Sequence, residues 1–122
     1  MIIAGLGFTT RATAQSLADA LAATGLDSPP DALATAHDKA AHPALLDFAR
    51  RQNLSIHAVQ PHALEQARTE TQSMLSHQTR NTGSVAEAAA LAAAGPDATL
   101  TVPRQISPDR MATCAIAQGA TS

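Results

Sequence analysis

Three short segments hold the residue types from which a binding or reacting site could be built. The first is Gly5-Leu6-Gly7, followed by Thr9, Thr10 and Arg11. Glycines let a backbone turn sharply and come close to a ligand. A helix starting near Ala12 would aim unsatisfied N–H groups and a partial positive charge at the same point. Two hydroxyls and a fixed cation complete the set, so Gly5, Gly7, Thr9, Thr10 and Arg11 are candidates for holding an anion. A dinucleotide site would need a third glycine where Thr10 stands, and an acidic residue about twenty positions on, at the end of a second strand. Neither is present. The glycines could also do no more than make a tight strand-to-helix turn.

The second segment is His37-Asp38-Lys39, which contains the only lysine of the chain. A His–Asp pair beside a cation could act as a base with an electrostatic clamp. It could equally be a polar loop whose Asp38 favours the N-terminus of the following helix. The third is Thr82-Gly83-Ser84. Ser84-Val85-Ala86-Glu87 has the spacing of a capping box, and capping satisfies only some of the free N–H groups. Gly83 and Ser84 therefore stay candidates for anion contact, with Glu87 structural.

Other chemistries are excluded. His42, His57, His62 and His77 are not at zinc-ligand spacings, and Cys114 has no partner cysteine. No metal and no cofactor are expected. Cys114 reads as a small core residue, in keeping with a reducing cytoplasm. There is no Gly-x-Ser-x-Gly elbow. A net charge of −2, scattered cations and only two aromatic residues, Phe8 and Phe48, argue against nucleic acid. No apolar run approaches the roughly 18 residues of a membrane span, and MIIAGLGF lacks a basic leader. A cytoplasmic protein is expected.

The elements that must position these segments follow from periodicity. Ile2 to Leu6 reads as a buried strand ending in the glycine turn. Ala14, Leu17, Ala18, Leu21 and Ala22 recur at helical spacing between Ala12 and Thr24, and Gly25 takes the place of a helix-ending glycine. Two prolines make Asp27 to Asp31 a loop. Ala32 to Ala36 and Ser55 to Val59 read as strands, and Pro43 opens a helix through Gln52. Pro61 starts a short helix to about Ala67, and Arg68 to Thr82 reads as a polar loop. A helix runs from Ser84 to Gly95-Pro96. Ala98 to Val102 and Met111 to Ala117 are strands, joined by a loop from Pro103 to Arg110.

Alternating strands and helices predict one α/β domain over residues 1–122, a three-layer α/β/α sandwich on a mostly parallel, mixed sheet of about five strands. The last two strands have no helix between them, so one edge is expected to be antiparallel. The Ala-rich core predicts helices packed closely on the sheet, because small side chains let backbones approach. Ligands of such sheets bind beyond the carboxyl ends of the strands. That edge collects Gly5 to Arg11, His37 to His42 and Pro103 to Arg110.

Taken in order, these segments resemble the family of CobE and the C-terminal domain of CbiG, from cobalamin biosynthesis. The residues carrying the resemblance are Gly5-Leu6-Gly7 with Thr13-Ala14, Leu33-Ala34-Thr35 with Lys39, and Pro43-Ala44-Leu45-Leu46. They continue with Gly83 through Leu91, Val102-Pro103-Arg104 and Ala112 through Ala117. Relatives often carry Cys-Arg-Arg-Gly after the glycines, where this chain has Phe8-Thr9-Thr10-Arg11; many carry lysine in place of Arg104. The short chain is closer to CobE. The resemblance implies a partner, a precorrin or other corrinoid intermediate, and contact with other pathway enzymes. Such rings bear several carboxylates, so Arg11, Lys39, Arg104 and the turns at Thr10 and Ser84 would meet them. It implies a carrier or accessory protein. The alternative is the CbiG-type activity, hydrolysis of a cobalt-precorrin lactone with release of acetaldehyde, for which His37 or Asp38 would activate water and Lys39 steady the oxyanion.

Overall fold

The computed structural model describes residues 1–64, 84–95 and 97–119. Strand β1 (Ile2–Phe8) leads to helix α1 (Ala14–Ala23), and β2 (Ala32–Ala36) leads to a 3-10 turn (His37–Lys39) and α2 (Pro43–Gln52). Then come β3 (Ile56–Val59), a helical stretch at residues 61–64, α3 (Ser84–Ala94), β4 (Thr99–Ile106) and β5 (Ala112–Gln118). The expected loop from Arg68 to Thr82 lies outside the described residues.

The open five-stranded sheet has the order β3-β2-β1-β5-β4. β1, β2 and β3 are parallel, with Ala4 level with Leu33 and Leu33 level with Ile56. β5 runs antiparallel to both β1 and β4. The expected antiparallel edge is the β4–β5 hairpin, whose short connection can only return antiparallel, and antiparallel pairing extends one strand further in because β5 is also the neighbour of β1. This orientation brings the hairpin loop, residues 107–111, to the carboxyl end of β1, where Phe8 pairs with Ala112.

Side chains alternate across each strand, which builds two different layers. Ala4, Leu6, Leu33, Cys114 and Ile116 face α1 and α2, where Leu17, Leu45 and Phe48 fill the core. Ile3, Ala32, Ala34 and Ala117 face α3, whose Ala88, Ala89 and Ala90 are fully buried. The three-layer α/β sandwich is as expected; the close packing expected of the helices holds for α3, whereas large side chains separate α1 and α2 from the sheet.

Helix ends follow local chemistry. Thr13 caps α1: its hydroxyl accepts from Ser16 N–H at 3.2 Å, and Ser16 Oγ accepts from Thr13 N–H at 3.1 Å, a reciprocal box worth about 1 kcal/mol. Pro43 opens α2, and Asn53 ends it in the left-handed region at φ 59°.

Two boundaries differ from expectation. β1 does not end at the glycines but runs through them to Phe8. A Cβ at Gly5 would lie 2.0 Å from Ala86 O and 2.6 Å from Ala90 N of α3. Gly5 therefore serves helix-on-strand packing, not a turn. Pro103 to Ile106 likewise belong to β4 rather than to a loop. Proline is tolerated there because β4 is an edge strand with register shifts on both sides of Val102.

Candidate functional site

The carboxyl end of β1 is held by side chains from the segment after β2. Lys39 Nζ donates to Phe8 O at 3.0 Å and lies 5.4 Å from the centre of the Phe8 ring. The His42 ring meets Phe8 edge-on, with centroids 5.2 Å apart at 76°. His42 Nδ1 accepts from Ala44 N–H at 3.1 Å, capping α2, so the neutral ring carries its proton on Nε2 and donates to Thr10 O at 3.0 Å. Two side chains thus bond the Phe8 and Thr10 carbonyls. That leaves the intervening Thr9 and the following Arg11 exposed on a loop of defined shape.

The loop is closed from its other side. Thr9 N–H donates to Met111 O at 2.9 Å, Ala12 N–H to Thr9 O at 3.1 Å, and Arg11 N–H to Thr9 Oγ1 at 3.3 Å. The facing hairpin is organised by Asp109. Its Oδ1 accepts from Ser107 Oγ at 2.6 Å and Met111 N–H at 3.0 Å, and its Oδ2 accepts from Ser16 Oγ at 2.6 Å. The Ser107 hydroxyl, the Ser16 hydroxyl and the Met111 amide hold this carboxyl below the usual aspartate range, in that order of importance. Burial pushes the Cys114 thiol the other way, up to about 12, which makes it an inert core group.

Between these loops lies a cleft of about 230 Å³. Gly7, Phe8 and Thr9 form one wall, residues 110–113 the other, and Val85 of α3 stands at its end. The start of α3 is at this edge, since a Cβ on Gly7 would stand 3.6 Å from Ala86 N. Among the described residues, no three His, Cys, Asp or Glu side chains gather where they could share a metal ion. No described helix is long and apolar enough to cross a membrane.

The family model of the cobalamin synthesis G C-terminus matches residues 2–117. The chain belongs to that family. The cobalamin biosynthesis protein chiG of Agrobacterium tumefaciens is 36% identical, with a TM-score of 0.80 over 99% of this chain and 100% of that one. CobE, a protein from the cobalamin (vitamin B12) biosynthetic pathway, is 27% identical, with a TM-score of 0.77 over 100% of this chain and 92% of its own. A cobalamin biosynthesis protein G homolog from Sulfolobus solfataricus shares the fold, at 18% identity and a TM-score of 0.66. The present chain covers 98% of its own length and 37% of that protein. Among curated protein sequences none matches. The family resemblance read from the ordered motifs is thus correct, and the chain is of the CbiG and CobE type.

In this cobalamin synthesis G C-terminal domain, Gly7 and Thr9 line the cleft, with Thr10, Arg11 and Lys39 on the loops beside it. Gly5 is covered by α3. Arg104 is on the edge strand β4, and its backbone N–H donates to Glu87 Oε2 at 3.0 Å. Glu87 is therefore structural as expected, and it braces β4. Gly83 and the side chain of Ser84 lie outside the described residues. His37 and Asp38 are exposed in the 3-10 turn, with no hydrogen bond between them among the described residues. Sequence reasoning missed His42, Asp109 and Arg110. His42 directly before a helix-opening proline was the available sign for the first, and Ser107-Pro108-Asp109 is a turn signature for the others.

Proposed function

We propose that this protein binds a precorrin or other corrinoid intermediate through its peripheral carboxylates, as a carrier or an accessory to another cobalamin-pathway enzyme in the cytoplasm, with residues 1–122 acting as one domain. The observation that carries this reading is the cleft at the end of β1, lined by Thr9, Arg110 and the start of α3, with Arg11 exposed on the adjoining loop and Lys39 bonded to Phe8 O. Cations and helix N-termini favour carboxylates. At about 230 Å³ the cleft is below the roughly 300–1,000 Å³ of pockets that enclose a drug-sized ligand. It suits an acetate or propionate arm, with the macrocycle resting across the open edge.

Gly7, Thr9, Thr10 and Arg11 act in this reading as the ligand-facing loop, Gly83 and Ser84 as further anion contacts, and Arg104 as an additional cation. Lactone hydrolysis would need a base held against a water. The exposure of His37 and Asp38 favours binding over that chemistry.

The test is an absorbance titration of the protein with cobyrinic acid, repeated with Arg11→Ala and Lys39→Ala. Native protein is expected to shift the corrin spectrum saturably, and both variants to weaken binding. Lys39→Ala should act by loosening the loop that Phe8 O anchors. A native protein that leaves the spectrum of every tetrapyrrole unchanged would overturn the proposal.

A further inference from the structure

We propose that Arg110 is the cation that reads a ligand carboxylate inside the cleft, and that Asp109 is its positioning residue. The inference rests on the corrinoid reading above and names the group on which its selectivity depends.

Arg110 lines the cleft opposite Gly7 and Thr9. It is one of two non-glycine residues in the left-handed region among those described, at φ 63°. Arginine gains nothing locally from that conformation, which glycine or asparagine adopts more readily. The other such residue, Asn53, ends a helix, where the left-handed region is the normal exit.

The surroundings impose the conformation on Arg110. Its N–H donates to Ser107 O at 2.8 Å, and Ser107 N–H donates to Ala112 O at 2.9 Å, closing the hairpin. The Ser107 side chain, only 2% exposed, receives Ala112 N–H at 3.1 Å while donating to Asp109. Asp109 then reaches out of the hairpin to Ser16 in the first turn of α1. The turn that carries Arg110 is therefore fastened to the body of the domain and cannot relax alone.

Both Asp109 oxygens are occupied by these donors. Although adjacent in sequence, Asp109 does not pair with Arg110, and no carboxylate bridges the Arg110 guanidinium among the described residues. A planar cation whose five donors are not taken up by any described residue, held at a cleft mouth by a fixed turn, matches a carboxylate in bidentate geometry.

The experiment titrates native protein, Arg110→Gly and Asp109→Asn with cobyrinic acid and with its heptamethyl ester, which lacks the anionic charge. Thermal midpoints of the free proteins are measured in parallel. Arg110→Gly is expected to bind the acid about ten- to a hundredfold more weakly. Its thermal midpoint should equal or exceed the native one, because glycine suits the left-handed position. That combination is not what a merely structural arginine would give. Asp109→Asn should weaken binding less, and the ester should bind native protein and Arg110→Gly alike. Arg110→Gly binding the acid within twofold of native would overturn this inference and leave the corrinoid reading standing. Native protein binding acid and ester equally would also overturn it. Absence of any binding by the native protein would remove the corrinoid reading and this inference together.

Discussion

The two faces of the sheet are packed by opposite means. Toward α1 and α2 the core is made of large side chains, Leu6, Leu17, Leu33, Leu45, Phe48 and Ile116, which hold the helices away from the strands. Toward α3 it is mostly alanine, with Ile3, Val59 and Leu91 the larger members and Gly5 under Ala86 and Ala90, so that the helix backbone rests almost on β1. The first face stores its stability in side-chain volume and the second in closeness. The close face brings the start of α3 to the cleft, and the wide face carries the α1 turn that anchors the opposing hairpin. Each layer has one carboxylate tie to the β4–β5 unit: Glu87 from α3 to β4, and Asp109 from the hairpin to α1.

If this contrast is right, truncation should hurt the wide face and enlargement the close one. The largest loss is expected for Phe48→Ala, about 3–5 kcal/mol of stability by urea unfolding, because a fully packed ring leaves a cavity. Next is Gly5→Ala, at least about 3 kcal/mol, although it adds a single methyl group. The atoms that the methyl meets belong to the α3 backbone, which cannot rotate away. A Gly5→Ala variant with native stability would mean that α3 can lift from β1 freely, and the contrast between faces would fail.

The two carboxylate ties should differ in strength. Glu87 is 5% exposed, and Glu87→Ala would strip the Arg104 N–H of its acceptor, at a cost of about 1–3 kcal/mol. Glu87→Gln keeps an acceptor and should recover most of that in the same unfolding assay. The smallest effect is expected for Asp109→Asn, and it should depend on pH. Hydrogen bonds from Ser107, Ser16 and Met111 lower the folded pKa of Asp109. Its ionised form therefore favours folding above the unfolded value of about 3.9. The stability gap between native and Asp109→Asn should be at full size from neutral pH to about pH 4. It should shrink as the pH falls through the lowered folded value. A gap unchanged in acid would show that the charge plays no part in the tie.

Local patterns made much of this legible. The Pro43 to Gln52 helix and the Ala32 to Ala36 strand have the bounds that proline placement and apolar runs predict, because those signals act within a few residues. The family was readable from short motifs in order, none of which is specific alone. The site was readable as an edge but not as a geometry. Lys39 was visible as a lone cation, yet its bond to Phe8 O joins residues 31 positions apart. Asp109 and Ser16, 93 positions apart, left no mark of each other in the chain.

Sequence alone thus sets the elements, the three-layer class and an alanine-rich core. Periodicity and capping are local, and they survive whatever the rest of the chain does. Long-range packing settles that α3 rather than α1 is the helix close to the sheet, that Gly5 and Gly7 stay within a strand, that Pro103 lies in one too, and that Arg110 lines the cleft. Glycine permits both a turn and a close helix contact. The presence of α3 against β1 selects between them, and that neighbour is about eighty residues away in the chain.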